Sequence, residues 1–193
     1  MMRIDGWFMT MTAAVAVTIG GLGASSRWAL VTASQDETAP PAEQREDDMP
    51  KEKITLGLDD AAEEFELELS VDADQRAQGL MEREEIDEHG GMLFIYPDAK
   101  ERGYWMKNCL VDIDMIFLDE EGRITAVHQA KKELPRQPGE SEWDYEDRLK
   151  RYSSRRPAQF VIEVKAGTIK RLGLKAGQLV ELDVERLATL AKD

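Results

Sequence analysis

The sequence predicts a mainly β fold of the β-rich α+β class: a compact β-sandwich or partly closed barrel with two or three short peripheral helices. Three observations favour this class. Apolar and polar residues alternate with a period of two along several segments, helical periodicity is confined to short stretches, and no glycine-rich phosphate-binding loop follows a strand. With 193 residues, 42% of them hydrophobic, the chain is long enough to bury a core.

Seven or eight strands are expected from the apolar patterns. Phe65, Leu67 and Leu69 alternate with glutamates, which is typical of a half-buried strand. The turn at 119–122 is expected to connect a hairpin, with Gly122 in a backbone conformation of positive φ. The predicted strands lie near residues 54–58, 64–70, 92–96 (ended by Pro97), 104–106, 115–118, 123–129, 160–164 and 179–184.

Helices are predicted at three places. Asp72 can cap a helix whose third residue, Gln75, completes a capping box. Ser141 can cap a second helix, within a segment at 131–157 that interrupts the β pattern. A third, short helix at 167–172 is expected to end at Gly173.

The N-terminal part differs from the rest in composition. Residues 6–26 carry no charge and are flanked by Arg3 and Arg27, so residues 1–33 are interpreted as a signal peptide or an N-terminal membrane anchor. Residues 34–52 form an acidic, proline-containing stretch that is interpreted as a disordered linker. The folded domain is expected over 53–187, with a helical insertion at 131–157 and a tail at 188–193.

Composition also limits the function. Lys and Arg total 25 and Asp and Glu total 39, giving a net charge of −14, which disfavours binding to nucleic acid. Cysteine occurs once, at Cys109, so an intramolecular disulfide and a zinc ribbon are excluded. We expect no cofactor and no metal site.

Four motifs occur in an order that resembles a known family. They are Gly-Leu-Met-Glu-Arg at 79–83, Gly-Met-Leu-Phe at 91–94, Trp-Met-Lys-Asn at 105–108 and Asp-Met-Ile-Phe-Leu-Asp at 114–119. Together with the closing glycines of 166–177, they resemble the domain of unknown function 192 family over about residues 54–184. The resemblance implies a compact, mainly β domain, often exported or membrane-tethered in bacteria, and it implies no established biochemical role.

The chain departs from the family pattern at three places. Cys109 stands where members commonly have threonine, and Asp112 stands where they commonly have proline. The long insertion at 131–157 replaces a short loop that often contains cysteine and proline. A function that depended on cysteines in that loop could not operate in this chain.

The candidate ligand-binding residues lie in and around these motifs. A lysine beside a large aromatic residue can present its ammonium group at the mouth of an apolar pocket, and an asparagine supplies both a donor and an acceptor. In the alternative interpretation Trp105 belongs to the core, Lys107 faces solvent and Asn108 shapes a turn. The candidate set is Met81, Arg83, Trp105, Lys107, Asn108 and Asp114. No catalytic residue is assigned.

Several of these residues also have simpler structural roles. Arg83 can hold a carboxylate through two parallel hydrogen bonds. Asp112 and Asp114 could share a hard cation, but Asp114 is better explained as an acceptor of backbone hydrogen bonds at a strand entry. Cys109 is interpreted as a small buried residue rather than a nucleophile.

These observations favour an exported or membrane-tethered, non-enzymatic ligand-binding or accessory module of the cell envelope. It would be periplasmic or extracellular, or anchored to the cytoplasmic membrane through residues 6–26 with the domain outside. Its partner would be a small molecule or an envelope protein. One alternative is a small hydrolase or isomerase that uses Asp114 and Lys107, which requires the two side chains within hydrogen-bond reach. Another is a purely structural envelope protein.

The insertion carries a cluster of bases in an otherwise acidic chain. They could attract an anionic partner, or they could complement the helix end and neighbouring acids. Tyr145, Leu149 and Tyr152 share one helical face and are expected to dock on the core. Whether the insertion is a lid, a partner-binding arm or part of the core is left open. The cluster consists of Arg148, Lys150, Arg151, Arg155 and Arg156.

Overall fold

The computed structural model describes residues 49–192. The predicted signal or anchor segment at 1–33 and all but the last residues of the predicted linker lie outside the described residues. Within 49–192, none of the helices has both the length and the apolar character that a membrane crossing requires.

Eight strands and four short helices make up the described chain. The strands are β1 (Lys51–Leu56), β2 (Glu63–Ser70), β3 (Gly90–Lys100), β4 (Gly103–Tyr104), β5 (Ile113–Leu118), β6 (Ile124–Ala130), β7 (Tyr152–Ser153) and β8 (Ala158–Lys165). The helices are α1 (Ala73–Gln78), α2 (Glu142–Arg148), α3 (Thr168–Leu172) and α4 (Val184–Leu190). The mainly β prediction is therefore confirmed.

Six strands form one sheet in the order β1-β2-β3-β8-β5-β6, and β4 pairs with β7 in a second, small sheet. The pair β2–β3 is parallel and is connected through α1, whereas the other pairs are antiparallel. The large sheet does not close on itself, because β1 and β6 remain its edges. The hairpin β5–β6 turns at Gly122, whose φ is 81°, as the sequence predicts.

Both faces of this sheet are apolar. Leu93, Ile162 and Ile116 belong to a core covered by α3 and α4, while Phe94 and Val161 belong to a second core on the opposite face. The central strands β3, β8 and β5 are therefore buried on both sides, as sheets covered on two faces require. A side chain on either face of a central strand is consequently removed from water.

Local capping signals place the helices where the sequence predicts them. The Asp72 carboxylate accepts a hydrogen bond from Gln75 N at 2.9 Å, and the Gln75 side chain reciprocates. The Ser141 hydroxyl accepts one from Asp144 N at 3.1 Å, at the start of α2. The helix α3 ends at Gly173, which adopts the left-handed conformation with φ 63°.

The predicted last strand at 179–184 is wrong. Only Leu179 makes an isolated bridge, to Arg123, and the chain then enters α4. The reason is a cap that competes with the alternating pattern, because the Asp183 carboxylate accepts a hydrogen bond from Arg186 N at 3.1 Å. Leu187 of α4 is fully buried, so the helix that follows this segment packs on the core.

Pro97 does not end its strand, in contrast to the prediction. The strand β3 continues to Lys100, and its register with β8 shifts between Ile95 and Lys100. Such an irregularity tolerates a proline, which has no N–H to donate to the ladder.

The insertion packs on the domain through the three predicted residues, although of these only Tyr145 lies in the helix. Tyr145 is 2% exposed, and Leu149 and Tyr152 are similarly buried. Tyr152–Ser153 forms β7 and pairs with β4, so this part of the insertion belongs to the sheet framework.

Candidate functional site

A cleft of about 400 Å³ opens between the loop that follows α1, the end of β3 and the loop that follows β4. Four of the predicted ligand-binding residues line it, namely Met81, Trp105, Lys107 and Asn108. All four are partly exposed, so they are accessible to a small molecule. Two sequence motifs that are about 25 residues apart thus form one concave surface, of the size that small-molecule sites have.

Asn108 connects three segments at the rim. Its backbone carbonyl accepts a hydrogen bond from Glu82 N at 2.9 Å, which fixes the 79–83 loop. Its backbone N–H donates to the Tyr145 hydroxyl at 2.9 Å, and that hydroxyl donates to Asn108 Oδ1 at 3.2 Å. Asn108 has φ 52°, a left-handed conformation that asparagine tolerates better than most residues. Asn108 therefore positions the rim through both its backbone and its side chain.

Lys107 is held at the rim by the insertion. Its ammonium lies 2.5 Å from a Glu142 carboxylate oxygen and 2.6 Å from one of Glu146. These hydrogen bonds, with Glu142 first, raise the pKa of Lys107, so the side chain stays protonated. The helix α2 thus fixes the position of the Lys107 side chain.

Aromatic rings form much of the cleft wall. The hydroxyl groups of Tyr96 and Tyr104 are hydrogen-bonded at 2.8 Å, and Tyr104 packs edge-on against Phe94 with ring centroids 5.4 Å apart. The guanidinium of Arg102 lies over the Tyr96 ring at 3.4 Å, and that of Arg151 lies over Trp105 at 4.1 Å. Burial raises the pKa values of both tyrosines, so their hydroxyl groups are neutral.

Glu163 contributes a buried carboxyl group to the cleft. Its side chain extends from β8, is 5% exposed, and has no hydrogen-bond or ion-pair partner among the described residues. Burial raises its pKa to about 8, although the charge of Arg83 partly opposes the shift. At neutral pH this carboxyl group is mostly protonated.

Gly79 brings the backbone close to that carboxyl group. An added Cβ at this position would lie 3.2 Å from the Phe94 ring and 3.9 Å from Glu163 Oε2. With φ 50°, Gly79 also occupies the left-handed region, in which a side chain is strained. The glycine of the 79–83 motif therefore keeps the cleft open above Glu163.

Glu163 is absent from the candidate set that the sequence predicts, because the predicted strand at 160–164 rests on Phe160, Ile162 and Val164 alone. A signal was nevertheless present. Uninterrupted apolar runs such as 92–95 and 115–118 indicate that strands of this sheet are buried on both faces. In such a sheet, a glutamate in the middle of a strand is a buried polar residue, and that is the informative observation.

Arg83 lies outside the cleft. Its guanidinium forms two parallel hydrogen bonds with the Glu68 carboxylate, Nη1 to Oε1 at 2.8 Å and Nη2 to Oε2 at 2.6 Å. The predicted bidentate contact with a carboxylate is therefore confirmed. The pair connects the 79–83 loop with β2 and places a positive charge near Glu163.

Asp114 also lies outside the cleft, on the other face of the sheet. Its Oδ2 accepts hydrogen bonds from Gly167 N at 3.0 Å and Ile169 N at 2.7 Å, so it fixes the start of α3. This confirms its predicted role as a backbone acceptor. No hydrogen bond or ion pair connects Asp114 with Lys107 among the described residues, and the acid–base pair of the hydrolase alternative is not brought together. Asp112 binds Lys131 instead of sharing a cation with Asp114.

Cys109 borders the cleft but is a poor nucleophile. Its thiol is buried and donates a weak hydrogen bond to the Lys107 carbonyl at 3.4 Å. Burial raises its pKa to about 12, so the reactive thiolate is scarce at neutral pH.

The bases of the insertion separate into two groups. Arg148 binds Glu140, Arg151 stacks on Trp105, and Lys150 lies over Tyr152. In contrast, Arg155 and Arg156 are exposed and form no ion pair with a described residue. They border a separate hollow of about 820 Å³, together with Arg123 and the acidic turn 119–121.

Comparison with known proteins identifies solved structures that resemble this chain. The chain matches a solved protein from Sinorhizobium meliloti described as a "putative transcription regulator", with 32% identity and a TM-score of 0.56 over 69% of this chain and 94% of that one. It also matches a protein of unknown function from Novosphingobium aromaticivorans, with 24% identity and a TM-score of 0.56 over 68% of this chain and 85% of that one. No curated protein matches the chain.

The family comparison agrees with the four ordered motifs. The model of the family DUF192, described as an uncharacterised ACR, matches residues 54–182. This range contains the cleft, the insertion and the complete six-stranded sheet except for the first residues of β1. The chain therefore belongs to the DUF192 family.

Proposed function

We propose that this protein is a non-enzymatic small-molecule-binding module, exported or tethered to the membrane by its N-terminal segment. The observation that carries the proposal is the buried Glu163 carboxyl group, which has no described partner and borders an accessible, aromatic-lined cleft. An unpaired buried polar group is costly, and a ligand that supplies the missing hydrogen bond recovers that cost.

The absence of an activated nucleophile favours binding over catalysis within the described part of the chain. The thiol of Cys109 has its pKa raised to about 12, and the Asp114 carboxylate is occupied with the start of α3. Convergent polar groups with aromatic walls, and no nucleophile–base pair, are the features of a binding site.

Export is proposed from residues 1–33, whose uncharged stretch at 6–26 supports a signal or an anchor. An envelope location would place the cleft on the outer side of the cytoplasmic membrane. The Sinorhizobium meliloti relative's description suggests regulation of transcription, but the net charge of −14 argues against direct contact of this chain with DNA.

A ligand screen tests the proposal. Small molecules are screened against the full-length protein by thermal shift, and the hits are verified by NMR below the melting temperature. Trp105→Leu and Lys107→Ala should lower the affinity of the protein for these compounds. Trp143→Leu, at a largely exposed tryptophan of α2, and Lys175→Ala are matched controls that should leave the affinities unchanged.

Two results would contradict the proposal. If Trp105→Leu and Lys107→Ala retain every hit at wild-type affinity, the site is assigned to the wrong residues. If the screen gives no hit whose chemical-shift changes lie at the cleft, the structural-protein alternative is favoured.

A further inference from the structure

The inference concerns the kind of ligand that the cleft accepts, and it rests on the proposed function. Among the described residues, Glu163 is the one acidic group that lines the cleft, and it has no partner there. Arg83, whose charge acts on Glu163, has both terminal nitrogens of its guanidinium bound to Glu68. A ligand group that donates a hydrogen bond to Glu163 therefore meets an acceptor for which no described protein donor competes.

The aromatic wall also favours a cation. The faces of tyrosine and tryptophan rings attract positive charge. The protein's own cations demonstrate this for two rings of the cleft, because Arg102 lies 3.4 Å from the Tyr96 ring centroid and Arg151 lies 4.1 Å from that of Trp105. Arg76 also lies 5.0 Å from the Tyr96 centroid and Lys107 lies 5.6 Å from that of Trp105, so both rings act as cation acceptors.

The charges of Lys107, its two partners and Arg76 cancel at the mouth. The ammonium of Lys107 is bound by two carboxylates, Glu142 and Glu146, so the net charge of these three groups is −1. Arg76 lines the cleft as well and brings this net charge to zero, while its guanidinium is hydrogen-bonded to the backbone carbonyls of Val71, Ile95 and Lys192. The whole chain, at −14, attracts cations from solution.

From these observations we infer that the cleft binds a small molecule with a cationic amine group on an apolar body. The amine lies against the Glu163 carboxyl group and the apolar body lies between Trp105 and Met81. Phe94 and Tyr104 exclude water around the charge, which strengthens the contact between ammonium and carboxylate.

Binding has a definite proton balance. At neutral pH the free protein holds Glu163 mostly as the neutral acid, and the ligand enters as an ammonium ion. The complex contains a carboxylate paired with that ammonium, and the carboxyl proton is released to solvent. The neighbouring groups Tyr96, Tyr104 and Cys109 do not take it up, because burial raises their pKa values and they already carry their protons.

Three probes of one shape test the class of ligand. Benzylamine is cationic, benzyl alcohol is neutral and benzoate is anionic at neutral pH. Each is titrated into the full-length protein and followed by amide and indole NMR signals of Gly79 and Trp105. We expect benzylamine to bind at least about tenfold more tightly than the other two, which corresponds to one charge-assisted hydrogen bond.

The variant Glu163→Gln keeps the shape of the side chain and removes its charge. It should abolish the preference for benzylamine and leave the weak affinity for benzyl alcohol unchanged. Glu181→Gln, at an exposed site away from the cleft, is the matched control and should bind like the wild type. Calorimetry in two buffers of different ionisation enthalpy should detect a proton released by wild-type protein and none by Glu163→Gln.

The outcomes separate this inference from the proposed function. If benzyl alcohol or benzoate binds at Gly79 and Trp105 as tightly as benzylamine, the cationic class is wrong while the cleft remains a binding site. Benzylamine binding that survives Glu163→Gln, or that releases no proton, also overturns the inference. If none of the three probes shifts these signals, the inference is wrong, and the independent ligand screen decides the proposed function.

Discussion

The Tyr145 hydroxyl accepts a hydrogen bond from the backbone N–H of Asn108 at 2.9 Å and donates one to Asn108 Oδ1 at 3.2 Å. A residue of the insertion therefore holds both the main chain and the side chain of a family-motif residue. Because Tyr145 is 2% exposed, water cannot easily replace its hydroxyl. The insertion thus stabilises the rim of the cleft rather than standing apart from it.

The variant Tyr145→Phe tests this contact. It leaves two polar groups of Asn108 without their partner, so we expect a loss of about 1–2 kcal/mol in the free energy of unfolding, measured with urea. Tyr152→Phe is the control, because this buried tyrosine makes no hydroxyl hydrogen bond with a described residue. An equal loss in both variants would show that packing, and not the contact with Asn108, causes the effect.

The pH dependence of stability should reveal Glu163. The folded protein retains this proton up to about pH 8, whereas a glutamate in the unfolded chain releases it near its ordinary pKa of 4.5. The unfolded state therefore binds fewer protons between these values, and stability falls as the pH rises. Compared with Glu163→Gln, wild-type protein should lose about 1.4 kcal/mol for each pH unit across this window.

The stabilisation from this group is complete below pH 4.5 and lost above about pH 8. Above that pH the unfolding free energies of wild type and Glu163→Gln should vary with pH in parallel. Urea unfolding of both proteins at several pH values measures the difference. The exposed-site variant Glu181→Gln should follow the wild type throughout. A constant difference between wild type and Glu163→Gln would mean that Glu163 ionises normally in the folded state.

The Arg83–Glu68 pair should be stronger than the surface pairs of this chain. The two side chains are only 16% and 12% exposed, and their geometry is bidentate. We expect Arg83→Gln or Glu68→Gln to cost about 2–3 kcal/mol each and the double variant to cost less than their sum. A second double-mutant cycle, on the exposed pair Lys53–Glu64, provides the comparison. Its coupling energy should be less than about 1 kcal/mol. Equal coupling in the two cycles would contradict this interpretation.

Asp114 should matter for stability and not for binding. Asp114→Ala removes the acceptor for Gly167 N and Ile169 N, so we expect a loss of about 2–3 kcal/mol in urea unfolding. Asp114→Asn keeps one oxygen and should lose roughly half as much. Since Asp114 lies on the face opposite the cleft, Asp114→Asn should bind benzylamine like the wild type. Weakened binding without a change in stability would assign Asp114 to the site.

The exposed arginines beside the larger hollow remain candidates for an anionic partner. We expect full-length protein to bind vesicles that contain phosphatidylglycerol at low salt, and the double variant Arg155→Glu/Arg156→Glu to bind them less without a change in melting temperature. Lys132→Glu/Lys170→Glu changes the net charge equally at other exposed positions and is the control. If wild-type protein does not bind at low salt, or if both double variants lose binding equally, these arginines have no such partner.

The sequence by itself determined the local features. The capping box of Asp72, the cap at Ser141 and the left-handed Gly122 all appear where the sequence predicts them. Each depends on residues at most a few positions apart, so the physical signal is contained in a short segment. The motif order also sufficed to predict the family and to bring Trp105 and Lys107 into the candidate site.

Tertiary structure alone decided which of these features form a site. Asp114 meets α3 across more than 50 residues, and Arg83 meets Glu68 rather than a ligand. The 179–184 segment makes a single bridge and then leads into a capped helix. Glu163 is the clearest case. Alternation along one strand shows which side chains share a face, but only the packing of other segments against both faces determines which of them lose contact with water.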